Sequence, residues 1–114
     1  MNRNRPISQV EVEEEILRLT GLLEDETENF EVLAQDGAIK DATMKSSWAK
    51  EYLGAKGSIR EREAWADYKL EDLIMQHKIA EALVKSKRER LHSLRTSIDA
   101  LRTLAANVRA QTSS

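Results

Sequence analysis

Apolar residues return along most of this chain at alternating steps of four and three. Val12, Ile16, Leu19, Leu23, Phe30 and Leu33 form one such series, with the acidic Glu26 standing in the place of a seventh member. Steps of four and three keep side chains on one helix face, so the series predicts an amphipathic helix with a heptad seam. Ser8 and Glu11 make an S-x-x-E capping box just after Pro6, which predicts a helix start at residue 8. Gly37, in "QDGAIKD", reads as a hitch where the helix breaks or bends, with Asp41 able to cap a restart. Met44, Trp48 and Tyr52 then carry the apolar face to residue 53.

"GAKGS", residues 54–58, is the clearest turn signal. Gly54 suits a helix C-terminus, and Ser58 with Glu61 forms a second capping box. From Ser58 the pattern predicts one helix to Asn107. Its seam is Ala66, Leu70, Leu73, His77, Ala80, Val84, Lys87, Leu91, Leu94, Ile98, Leu101, Ala105 and Val108. A repeat of that length indicates a coiled coil or a long helical hairpin. The expected fold is therefore all-α: residues 1–114 as a single helical domain, an antiparallel hairpin of helices 8–53 and 58–107 joined by the turn 54–58.

A turn this short makes the helices antiparallel, and facing residues should have numbers adding to about 112. Trp48 is then expected beside Trp65, Met44 near Tyr68, Leu19 near Leu94, Glu26 near Lys87, and His77 opposite Gln35 and Gly37. Two helices bury one face each, so a chain of this length is expected to associate further into a homo-oligomer.

Charged residues make up 33% of the chain and aromatics 4%, which fits long, surface-rich helices rather than a bulky core. The net charge of −2 hides an asymmetry. Residues 1–36 carry ten acids against three bases, and residues 37–114 carry fifteen bases against ten acids, which suits an anionic partner for the second part. There is no cysteine, no apolar run of membrane-spanning length and no signal-peptide pattern, so a cytoplasmic protein without membrane contact is expected.

Little in the chain suggests an enzyme. His77 and His92 are too far apart along one helix to share a metal, and the carboxylates are spread without the inward Glu-x-x-His pairs of a di-iron bundle. No phosphate loop or nucleophile motif is present. Neither catalysis nor a cofactor or metal is expected.

Two constellations remain. Arg88, Arg95, Arg102 and Arg109 recur every seven residues, a stripe spaced about 10 Å along a helix edge. It can pair with acids across the hairpin, where Glu13 and Glu15 should lie near Arg95 and Arg102; it can pair between subunits; or it can contact phosphates. Arg88 and Arg109 have no evident acidic partner in the sequence, and Lys85, Arg90 and His92 surround Arg88 with further basic groups. The second constellation lies around the turn. Trp48, Tyr52, Trp65 and Tyr68 alternate there with Lys45, Lys50, Lys56, Arg60, Arg62 and Lys69. Aromatic platforms among cations are what single-stranded nucleic acid requires. The tryptophans also serve simply to pack the hairpin tip, and Tyr52 and Tyr68 are then the better stacking residues.

"SSWAKEYLGAKGSIREREAWADYKLED" resembles the helix–turn–helix region of UvsY-type phage recombination mediators, with a tryptophan shortly before a Ser-Ile helix start. "HSLRTSIDALRTLAANVRAQ" is similar to the C-terminal helix of small phage proteins encoded among recombination genes. The resemblance covers roughly residues 41–110. It implies a helical homo-oligomer, in the host cytoplasm, that binds single-stranded DNA. It also implies help in loading a RecA-type recombinase against competing single-strand-binding protein. The family's basic DNA-binding cluster lies where this chain has "LIMQHKIA", with only Lys78 basic. DNA contact is therefore assigned to Arg60, Arg62, Lys69, Lys85, Arg88, Arg90 and Arg95, with Tyr52 and Tyr68 as stacking residues. The alternative is a structural or adaptor coiled coil without DNA binding: a virion component, an assembly chaperone or an inhibitor of a host protein.

Overall fold

The computed structural model describes residues 7–113 and consists of three helices, α1 (Gln9–Gly54), α2 (Ile59–Lys69) and α3 (Glu71–Ser113), with no strand among the described residues. Pro6 lies outside the described residues. The fold is all-α and the hairpin is antiparallel, as the heptad pattern predicts. The helices enclose two compact units, one of Met1–Asn29 with Arg88–Ser114 and one of Phe30–Lys87.

Both capping boxes form. The Ser8 hydroxyl accepts from the Glu11 backbone N–H at 3.2 Å while the Ser8 N–H donates to Glu11 Oε2 at 3.3 Å. At the second start, Ser58 Oγ accepts from the Glu61 N–H at 3.1 Å and donates to Glu61 Oε1 at 3.1 Å. Each serine thus satisfies one of the four backbone donors that a helix start leaves without a partner. Between α1 and α2, Gly57 takes φ 114°, a left-handed conformation that strains any residue with a Cβ.

In the unit of Met1–Asn29 with Arg88–Ser114, Leu19, Leu94 and Ile98 form a buried cluster, with Leu22, Leu23 and Leu101 packed against it. The expected Leu19–Leu94 pairing is present. In the unit Phe30–Lys87, Asp41 meets His77, Trp48 meets Asp67 and Glu51 meets Trp65, numbers rising on α1 as they fall on the opposite strand of the hairpin.

Three sequence expectations are corrected. α1 does not break at Gly37, and Asp41 does not cap a restart. A glycine inside a helix costs about 1 kcal/mol, which seam packing on either side outweighs; Gly37 is half-buried, with Val84 Cγ2 3.5 Å from where a Cβ would stand. The helix expected over 58–107 is interrupted at Leu70 (φ −109°, ψ 19°), which separates α2 from α3, and α3 continues to Ser113. Leu70 N–H still bonds Ala66 O at 3.0 Å, and Glu71 and Asp72 supply the acidic first turn that favours a new helix start. Finally, His77 is paired with Asp41 rather than set opposite Gln35 and Gly37.

Candidate nucleic-acid interface

Around the turn, the aromatic side chains are engaged with one another and with acids. Trp48 stacks on Tyr52, one turn along α1, with centroids 5.3 Å apart and planes 12° from parallel. Trp65 tilts against Tyr68 at 6.2 Å. The expected pairing of Trp48 with Trp65 takes a different form: hydrogen bonds across the tip, with Trp48 Nε1 donating to Asp67 Oδ1 at 2.9 Å and Trp65 Nε1 donating to Glu51 Oε2 at 3.0 Å. An indole N–H needs an acceptor when its ring is packed, and the two carboxylates supply one each.

Two of the six cations expected at the tip lie over these rings. The Arg62 guanidinium carbon lies 6.0 Å from the Tyr52 ring centroid, and Lys69 Nζ lies 5.5 Å from that of Trp65, both within cation–π range. Arg62 is half-buried, and its Nε is enclosed without a hydrogen-bond partner. Arg60 and Lys85 are exposed. Tyr52 is half-buried beneath its neighbours, whereas Tyr68 is 69% exposed. Tyr68 is thus the ring with most surface left for a base. Over residues 45–72 six bases are matched by six acids, so the tip carries no net attraction for phosphate.

The arginine stripe belongs to the unit of Met1–Asn29 with Arg88–Ser114. Arg88, Arg95, Arg102 and Arg109 are all exposed on α3, as are Arg90 and His92. Among the described residues, the ion pairs expected of Glu13 and Glu15 with Arg95 and Arg102 do not form. Glu15 instead bonds Arg18 on its own helix, with Arg18 Nε donating to Glu15 Oε2 at 3.0 Å. That hydrogen bond, reinforced by the charge of Arg18, holds the Glu15 carboxyl below the usual glutamate range and raises Arg18 in return. Glu13 accepts from Gln9 Nε2 at 3.0 Å. Arg102 turns to Asp99 on α3, at 3.5 Å. Arg88 and Arg109, for which the sequence offers no evident partner, each have one in the structure. Arg90 and Arg95 form no ion pair among the described residues. Arg95 and Arg102 border a shallow groove of about 250 Å³ with Thr20, Leu23, Ile98 and Asp99. Across residues 88–109 five bases face two acids, and that excess points away from the seam.

The nine residues assigned to DNA contact are therefore not one surface within either unit. Tyr52, Arg60, Arg62, Lys69, Tyr68 and Lys85 belong to Phe30–Lys87, and Arg88, Arg90 and Arg95 belong to the other unit. One polar cluster was not anticipated: His77 Nε2 lies 3.5 Å from Asp41 Oδ1 and 3.3 Å from Glu81 Oε2, and its Nδ1 is buried without a hydrogen-bond partner. The i,i+4 spacing of His77 and Glu81 is its only sequence signal, because Asp41 arrives from the opposite helix. Among the described residues no group of three or more His, Cys, Asp or Glu could hold a metal ion. No helix is long and apolar enough there to cross a membrane. Compared with protein-family models, curated proteins and solved structures, the chain matches none.

Proposed function

We propose that the protein is a non-enzymatic accessory factor that binds single-stranded DNA along the basic edge of α3. In this reading it self-associates and assists a RecA-type recombinase against single-strand-binding protein, the role implied by the resemblance to UvsY-type mediators. The observation that supports DNA contact is the arginine edge itself. Its expected acidic partners Glu13 and Glu15 are bonded within α1, leaving Arg95 exposed and without an ion pair among the described residues; Arg90, outside the stripe, is likewise exposed and without one there. Phosphates bound along such an edge release counterions, so affinity is salt-dependent.

The test is fluorescence anisotropy of a labelled single-stranded oligonucleotide at several salt concentrations. Arg90→Gln with Arg95→Gln should weaken binding and lower the salt slope by about 0.7 per lost phosphate contact. Helicity should hold, since both side chains are exposed and glutamine is a good helix former. Unchanged affinity and slope would remove the DNA reading.

A structural or adaptor coiled coil without DNA binding is the second reading. It is favoured by the tip, whose indoles are tied to Asp67 and Glu51 rather than offered to a base.

A further inference from the structure

α1 carries a second heptad series, out of phase with its seam. Within the unit Phe30–Lys87, Val32, Ile39, Ser46 and Leu53 recur every seventh residue, with Ala42 and Ala49 between them, and all six are exposed. Val32, Ile39 and Leu53 expose 65%, 66% and 77% of their surface. The charges beside the series are ordered. Asp36 lies near its start and Lys50 near its end, both exposed; Asp36 bonds Lys40 on the same helix at 2.8 Å, and Lys50 forms no ion pair among the described residues.

We infer that this face is where a second copy of the chain docks, antiparallel, about a twofold axis between Ala42 and Thr43. That register sets Val32 against the partner copy's Leu53 position and Ile39 against its Ser46 position. It also sets Ala42 one residue out of line with its own equivalent and brings Asp36 to within one residue of the Lys50 position, twice by symmetry. A twofold contact uses one patch on both copies, so the patch must complement itself. This one does, in apolar spacing and in charge. A parallel pairing would set Asp36 on Asp36 and Lys50 on Lys50, and like charges across an interface disfavour it. The small residues at the centre let the helix axes approach at the short end of the usual 8–10 Å range. The apolar patch is on the order of 400 Å² per copy, which places the contact among weak, concentration-dependent interfaces.

The inference rests on the self-association in the proposed function and specifies its face. Sedimentation equilibrium of the full chain, from micromolar to hundreds of micromolar, tests both. Wild type should shift from monomer toward dimer or a higher even assembly, and Ile39→Glu should stay smaller by at least tenfold in association constant with its circular dichroism unchanged. Lys50→Asp should weaken association, and adding Asp36→Lys should restore it; this pair decides the matter if Ile39→Glu loses helicity. The chain has no cysteine, so Ala42→Cys can be oxidised cleanly and should form a disulfide dimer faster than the exposed control Gln76→Cys. A wild type that stays monomeric removes self-association altogether. Association unaffected by Ile39→Glu and by the charge exchange, or equal cross-linking of both cysteines, leaves self-association standing and removes this face.

Discussion

Gly57 and Gly21 should respond in opposite directions to the same added methyl group. At Gly57 the backbone is left-handed, and a Cβ would stand 2.7 Å from Glu61 Oε2 and 3.3 Å from Glu61 Cβ. Gly57→Ala should destabilise by more than about 1 kcal/mol, because it adds conformational strain and disturbs the residue that closes the second capping box. At Gly21, inside α1, nothing lies within 4 Å, and alanine should stabilise by up to about 1 kcal/mol. Urea unfolding of the two variants checks the signs. Glu15 gives a pH-dependent counterpart. Its carboxyl is held below the usual range by Arg18, so the bond contributes stability above the unfolded value and loses it as pH falls through the folded one. The thermal midpoint of Glu15→Gln should therefore fall less steeply than wild type on acidification below the carboxylate range.

At the scale of elements, two of the three helix starts were legible because a cap is a local motif. Ser8 and Ser58 each need only a glutamate three residues on, and both boxes form. Ser58→Ala should cost about 1 kcal/mol by thermal circular dichroism. Ser8→Ala should cost a similar amount, since it removes the equivalent cap. The seams were legible for a similar reason: burial follows a period, and Val12, Leu19, Ala66, Ala80, Leu91, Leu94, Ile98 and Ala105 are the buried positions of the two predicted series. The interruption at Leu70 was not legible, because Leu70 keeps its place in the heptad and no glycine or proline marks it. Gly37 shows the converse, a breaker residue carried through by the packing around it. The arginine edge was visible as a repeat, but its partners were not. Whether Glu15 turns to Arg18 or to α3 depends on rotamers and local geometry that spacing does not encode.

For the molecule as a whole, exposed large hydrophobics outnumber the buried core among the described residues, twelve against eight. Leu94, 4% exposed in the cluster with Leu19 and Ile98, should cost about 2–4 kcal/mol when replaced by alanine. Such a loss is a large share of the 5–15 kcal/mol that holds a typical domain folded. A core this lean makes stability sensitive to anything that binds only the folded chain, and a second copy is such a ligand. If folding and association are linked, a hundredfold rise in protein concentration adds up to about 2.7 kcal/mol per mole of dimer, the limit reached when the folded chain is fully dimeric. Shared between two chains of this length, that should raise the thermal midpoint by up to about 5 °C. Ile39→Glu should flatten the dependence if the α1 face carries the contact, whereas Arg90→Gln with Arg95→Gln should leave it intact. A midpoint that does not move with concentration in wild type would mean that the lean core suffices alone, and that the exposed heptad of α1 faces water.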